Sequence, residues 1–254
     1  MIDLIVFRVL NNRYAIKIEN IQRIIQAVEL TTIPNAHPLI DGMMSYEDGV
    51  LKVVSFRKMI GLETYPEELA SLFEKLKDAH ISWVNSLEES LKRGTEFTKT
   101  TNPHLCELGA WIDSFTSYED RVTVVFNELM EYHKKLHNAG TEVLDLYKKD
   151  QESALSFFES EIQEIYTKTL SALDVFVEEL DAVANSMQKL LVYEHEGKIF
   201  AIKVDAIEDI AHIEEGEIMS ASEQEHSSEF LELRGVLDVD GVLINVINNV
   251  NMPK

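Results

Sequence analysis

The sequence predicts a mixed architecture: two small β-barrels, or a sandwich, built from duplicated halves and interrupted by a four-helix bundle. Three observations carry this. The two ends of the chain repeat one another. The hydrophobic pattern changes from short β-type runs at the ends to a period of 3.6 in the middle. The change falls between the two repeats, so the helical part is an insertion at a loop.

Residues 14–25 read YAIKIENIQRII and residues 200–211 read FAIKVDAIEDIA. Further on, DGVLKVV at 48–54 answers DGVLINV at 240–246, in the same order and at similar spacing. Each copy opens on a short apolar strand, DLIVFRV or KLLVYEH. The turns LNNR and EGK lead into YAIKI and FAIKV. The pieces ENIQRII and DAIEDIA have helical spacing and read as single helical turns. Asp48-Gly49 and Asp240-Gly241 read as hairpin turns before a further strand. Gly61 follows FRKMI and reads as the stop signal of a short helix.

The middle carries three long apolar stripes. Leu69, Leu72, Leu76, Trp83, Leu87 and Leu91 mark the first. Val122, Phe126, Leu129, Leu136 and Leu144 mark the second. The third runs through Phe158, Ile162, Ile165, Leu173, Phe176, Leu180 and Val183. With a shorter helix around 104–114 they make a four-helix bundle. Pro66 sits at the start of the first helix, where its missing N–H costs little. The expected organisation is residues 1–65 as the first half of the β domain, 66–188 as the inserted bundle and 189–254 as the second half.

Composition narrows the function. The chain has 254 residues, 45% apolar, with a formal net charge of −22. Such a charge argues against a nucleic-acid backbone and against an anionic membrane surface as partners. No apolar run is long enough for a membrane span, and no signal peptide opens the chain, so direct membrane insertion is not expected. The single cysteine forbids an intramolecular disulfide framework. The expected compartment is the cytoplasm, where a thiol stays reduced.

That cysteine, Cys106, lies in NPHLCELGAWI at 102–112. Of the eight histidines, those at 37, 195, 212 and 226 are scattered without pattern. His80 falls on the apolar stripe between Leu76 and Trp83. His133 and His137 are one helical turn apart, about 6 Å along the axis, and share the apolar face set by Phe126, Leu129, Leu136 and Gly140. Three buried imidazoles are costly unless something shared compensates. A zinc ion would compensate: it takes thiolate and neutral imidazole in a tetrahedral shell, and His80, Cys106, His133 and His137 supply four ligands. His104 competes for a place but points elsewhere if 104–106 is helical. Inward Glu-x-x-His pairs for a diiron centre are not evident. A copper centre of the His/Cys type belongs to β scaffolds. A nucleophilic cysteine would need a base held by a third group, and four protein ligands leave no open position for a zinc enzyme's water. Both of those readings, and a plainly buried thiol, stay open at this level.

The segments HISWVNSL at 80–87, HLCELGAWI at 104–112 and HKKLH at 133–137 resemble the chemoreceptor zinc-binding domain of bacteria. That family has a His and Trp on its first helix, a Cys-x-Leu-Gly-x-Trp motif and a His-x-x-x-His pair. The resemblance covers roughly 66–186. It implies that His80, Cys106, His133 and His137 hold Zn2+, and that the domain senses cytoplasmic zinc or oxidants such as hypochlorous acid through the ligand cysteine. The flanks, residues 3–62 and 190–248, resemble the CheW-like coupling domain of bacterial chemotaxis. This rests on FRVLNNRYAIKIENIQRII, IPNAHPLIDGMM and LKVVSFRKMIGL, then GKIFAIKVDAIEDI and ELRGVLDVDGVLINVI. It implies two five-stranded β-barrels and a non-enzymatic scaffold that bridges the histidine kinase CheA, through its regulatory domain, to the cytoplasmic tips of chemoreceptors in membrane arrays. The helix faces are compatible with a homodimer. One departure stands out: the family's Asn-Leu-Arg-Gly of the first half is met by Tyr46-Glu47-Asp48-Gly49, while Leu233-Arg234-Gly235 is kept in the second.

Overall fold

The computed structural model describes residues 1–117, 119–220 and 228–253. It falls into two compact units, one of Met1–Tyr65 with Ala184–Lys254 and one of Pro66–Val183.

The first half of the β unit supplies β1 (Ile2–Val9), β2 (Asn12–Lys17), β3 (Ile21–Gln26), β4 (Ile40–Tyr46), β5 (Gly49–Ser55) and the one-turn helix α1 (Phe56–Met59). Ser55 caps α1 by accepting from the Lys58 amide at 3.3 Å, and Gly61 ends the turn at φ +75°. The second half supplies β6 (Lys189–His195), β7 (Lys198–Val204), β8 (Ala206–Ile213), β9 (Met219–Ser220), β10 (Leu231–Val239) and β11 (Val242–Val250).

The two sheets have the orders β8-β1-β2-β11-β10-β9 and β3-β6-β7-β5-β4. The duplication is therefore woven rather than side by side. β8, from the second half, pairs with β1, and β3, from the first half, pairs with β6. β5 and β11 likewise cross over to run parallel to β7 and β2. β1 and β6 are buried along most of their length, because both of their faces are covered. One face of each sheet has its own small core, Leu4, Val6, Ala15 and Val246 in one and Leu51, Val53, Leu190 and Ala201 in the other. The opposite faces meet in a shared core of Ile5, Phe7, Tyr14, Phe56, Tyr193 and Phe200 among others.

ENIQRII and DAIEDIA are strands, apart from a 3-10 turn over Ile18–Asn20. The reason is a β-bulge. Pairing skips Gln22 in β3 and Glu208 in β8, at equivalent places. One extra residue breaks the period of two and leaves an apolar spacing that imitates a helix.

The hairpin turns divide differently. Val239 pairs with Val242 across Asp240-Gly241, as expected. In the first half Tyr46 pairs with Gly49, so the turn is Glu47-Asp48 and Gly49 lies in the strand. Register is fixed by burial, since a one-residue slip would turn Leu51 and Val53 outward. The structural repeat is thus offset by one residue from the sequence repeat. The strand pairing makes Gly42, not Gly49, the counterpart of Gly235. Both are pressed on by a preceding segment: a Cβ would lie 2.7 Å from the Thr31 carbonyl oxygen at Gly42 and 2.2 Å from that of Met219 at Gly235. The segment facing Leu233-Arg234-Gly235 in the repeat is therefore Ile40-Asp41-Gly42. An aspartate, bound to Lys58 at 2.8 Å and Lys203 at 2.6 Å, stands where the other half has Arg234.

The helical unit contains α2, which begins at Tyr65 and runs to Arg93, then α3 (Glu107–Ser114) and α4 (Asp120–Tyr147). The third long stripe is segmented: α5 (Gln151–Phe157), a π-helical turn over Phe158–Ile162, α6 (Gln163–Glu178) and α7 (Leu180–Met187). Asp150 caps α5, its carboxylate accepting from the Glu152 and Ser153 amides. The stripes face inward, with Leu76, Leu87, Leu129, Leu136, Phe158, Ile162 and Phe176 fully or almost fully buried. Among the described residues no helix is long and apolar enough to cross a membrane.

Candidate metal centre

Two long helices supply three imidazoles to one point. α2 brings His80 and α4 brings His133 and His137, all buried. The fourth group arrives on a loop. Cys106 is not within the short helix, as the sequence suggested, but is its N-cap, with extended backbone at φ −89° and ψ 161°. Its Sγ accepts from the Gly109 amide at 3.2 Å. That cap turns the thiol toward the histidines. One ligand atom from each of His80, Cys106, His133 and His137 lies within 4.8 Å of all the others. Sγ is 3.1 Å from His133 Nε2 and 3.9 Å from His80 Nε2.

Two glycines make the approach possible. A Cβ on Gly109 would sit 1.7 Å from the Pro103 carbonyl oxygen, so this close turn of the Cys106 loop admits only glycine. A Cβ on Gly140 would sit 2.3 Å from the Trp83 ring. Trp83 in turn packs on His137, with ring centroids 5.0 Å apart, and donates its indole N–H to the Thr100 carbonyl at 2.8 Å. One side chain thus braces a histidine and ties down the loop that carries the cysteine. The sequence put Gly140 on the inward face without giving it a role. A glycine on the buried face of a helix was the available signal of close approach.

The electrostatics favour the uncharged form of every member of the cluster. Burial lowers the His80 pKa, against a partial opposing pull from the Leu76 carbonyl. Burial, then repulsion by His80 and His137, lowers His133 to about 3. Burial, then repulsion by His80, lowers His137 to about 4. Burial raises Cys106, opposed by the amides of Gly109 and Leu108. All three imidazoles are therefore neutral at pH 7 and offer lone pairs. The Nδ1 of His80 lies 2.7 Å from the Leu76 carbonyl. A carbonyl can only accept, so that nitrogen carries the proton and Nε2 is the free donor atom. His137 is the decisive member. Both of its ring nitrogens are buried without a hydrogen bond, although the Thr100 and Thr101 carbonyls are close enough to act on it. An unsatisfied buried imidazole costs about 1–3 kcal/mol. Three imidazoles and one thiol that converge, with His137 unsatisfied, fit a tetrahedral zinc ion. The group contains no carboxylate.

The remaining histidines stand apart. His104 is exposed and pairs with Asp113 at 3.0 Å. His212 pairs with Asp3, and His37 packs on Phe230. His195 lies beside Glu196. His226 lies outside the described residues.

Comparison with known proteins gives two family matches. Residues 80–144 match the chemoreceptor zinc-binding domain, a span that includes all four converging side chains. Residues 3–76 match the CheW-like domain. Among solved structures, the scaffolding protein TtCheW from Thermoanaerobacter tengcongensis aligns over 98% of this chain and 90% of its own, with 10% identity and a TM-score of 0.47. The regulatory CZB domain of DgcZ aligns over 45% of this chain and 98% of its own, with 21% identity and a TM-score of 0.38. No curated protein matches the chain.

Proposed function

We propose that this chain, a CheW-like domain interrupted by a chemoreceptor zinc-binding domain, is a non-enzymatic chemotaxis coupling protein whose bundle holds one zinc ion and adjusts the coupling. The ligands are His80, Cys106, His133 and His137. The observation that carries the reading is the doubly unsatisfied His137 within reach of three further donor atoms. The partners are those that CheW-like domains join, a CheA-type kinase regulatory domain and chemoreceptor tips, at receptor arrays in the cytoplasm. A net charge of −22 keeps nucleic acid out of that group.

Bound zinc would hold Cys106 as a thiolate and cross-link α2, α4 and the loop before α3. The chain's own residues do the rest. His80 is aligned by the Leu76 carbonyl, Trp83 supports His137, and the Gly109 amide holds Sγ in place. Cys106 is half-buried, and it is the one ligand carried on a loop. A two-electron oxidant such as hypochlorous acid converts its thiolate to a sulfenic acid, a poorer ligand. Zinc scarcity would leave the same four side chains without their shared ion.

The test has two parts. Zinc per chain should be near one in the wild type and near zero in Cys106→Ser. Capture of the kinase domain and of receptor tips should change when the protein is oxidised or chelated. Unchanged capture with confirmed loss of zinc would remove the sensing role. A second reading then takes over, a constitutive scaffold with structural zinc and altered partners. Two observations favour it: Cys106 already has a structural task as a helix cap, and Asp41 reverses the charge found at Arg234 in the other half.

A further inference from the structure

The β unit contains a buried ion pair that breaks its internal symmetry. Arg57 Nε lies 2.7 Å from Asp205 Oδ1 and Nη2 lies 2.6 Å from Oδ2, with both residues buried. The repeat offers no such pair elsewhere. The counterpart of Asp205 is Glu19, exposed and bound to Lys17, and the counterpart of Arg57 by the strand register is Val250, buried and apolar. The pair is made between the two halves, Arg57 following β5 and Asp205 following β7, and the equivalent positions of the repeat do not form one.

Its surroundings explain the placement. Tyr65, the first residue of α2, lies with its ring 4.5 Å from the Arg57 guanidinium carbon. Gln188, the first residue after α7, donates its side-chain amide to Asp205 Oδ1 at 3.2 Å. Tyr65 Oη also donates to Met187 Sδ at 3.4 Å. The chain leaving the β unit and the chain returning to it therefore touch the same ion pair, one through an aromatic face and one through an amide. The pair reaches the sheets as well. Asp205 joins β7 to β8, and its Oδ2 accepts from the backbone amide of Leu10, in the turn between β1 and β2, at 2.8 Å. All these residues belong to the β unit.

We propose that Arg57 and Asp205, with Tyr65 and Gln188, form a clamp that ties the outgoing and returning connections of the insertion to one another and to both sheets of the β unit. A displacement of the start of α2 relative to the end of α7 must lift the Tyr65 ring off the guanidinium or pull the Gln188 amide from Asp205. Either change reaches the β1–β2 turn through the Leu10 amide. The guanidinium is suited to this because its planar fork is held at two points by the carboxylate while its face stays available to an aromatic ring. The clamp is thus a positioning device that carries the metal state of the bundle into the coupling domain, and in that respect it rests on the zinc reading above.

The test is amide hydrogen exchange on the full chain, with zinc and after chelation, with zinc per chain measured in the same samples. In the wild type, zinc removal should speed exchange several-fold at residues 8–12, 57–65 and 186–206. Tyr65→Leu leaves the ion pair intact and lies outside the metal site. It should keep about one zinc per chain and lose most of that difference, and Tyr65→Phe, which keeps the ring, should restore it. Normal zinc uptake with an unmoved β unit in the wild type, or a Tyr65→Leu protein that behaves as wild type, would overturn the clamp alone. A wild type that takes up no zinc would overturn the metal reading and the clamp's role with it.

Discussion

Each unit of this chain buries a polar cluster, and the two clusters are finished to different degrees. In the β unit, both Asp205 oxygens are used, by Arg57, Gln188 and the Leu10 amide. In the bundle, His137 has no hydrogen bond at either nitrogen, and three imidazoles repel one another in any charged state. Buried polar groups are tolerated when satisfied and costly when not. The β unit satisfies its buried ion pair with its own residues and leaves Gln188 Oε1 without a hydrogen bond, whereas the bundle leaves both nitrogens of a converging imidazole without one.

The contrast can be broken at either end. The largest effect expected is from Arg57→Ala, which strands a buried carboxylate and should cost the β unit about 3–5 kcal/mol in denaturant unfolding. Zinc content should stay near one per chain. If that variant lost its zinc while the β unit stayed stable, the assignment of metal binding to the histidine cluster and of β-unit stability to the ion pair would be wrong. Next is zinc itself. At free zinc a thousandfold above its dissociation constant, the bundle should gain about 4 kcal/mol over the chelated form, read as a shift in its melting transition. His137→Ala should abolish most of that shift. Gly140→Ala forces a methyl into the Trp83 ring and should destabilise the bundle by about 1–3 kcal/mol with or without zinc.

Acid sharpens the comparison, with an effect that is smallest near neutrality and grows as pH falls. Unfolded histidine takes a proton near pH 6.5, but His137 in the fold does so only at about 4 and His133 at about 3. The unfolded chain then binds more protons, so stability falls as pH drops. The zinc-free bundle should change little between pH 8 and 7.5, lose under about 1 kcal/mol between pH 7.5 and 6.5, and keep weakening towards pH 4. Urea midpoints at a series of pH values would show it. A zinc-free bundle equally stable at pH 5 and pH 8 would mean the histidines are not buried as described.

How much of this was legible in the sequence follows from the range of the interactions. The four converging side chains were readable because His80 lies on a helical stripe and His133 and His137 share a turn, so local periodicity aims them. The position of Cys106 at a cap was less so, since helix boundaries depend on where the loop before them is tied. The bulges at Gln22 and Glu208 defeated the periodicity outright, turning a strand into an apparent helix. The woven order of the strands left no local trace at all, because β3 and β8 look alike whichever copy they pair with. The Arg57–Asp205 pair was hidden for a related reason. Its partners are far apart in sequence, and neither belongs to a repeat motif with the other. The single-residue offset between sequence repeat and structural repeat became visible only through strand pairing, and the same pairing sets Asp41, not Glu47 or Asp48, opposite Arg234.

The woven sheets have a consequence for how the molecule is made. During synthesis β3 and β5 emerge with their partners β6 and β7 still far downstream, beyond Pro66–Val183. The first half therefore waits with open strand edges, the condition in which chains associate wrongly. Helices form from local contacts and need no such wait. Once the bundle has folded, a long unstructured excursion becomes a compact one, and the entropy lost in bringing β6 and β7 back to β3 and β5 has largely been spent already. The insertion thus acts as a folding bridge for the domain it interrupts.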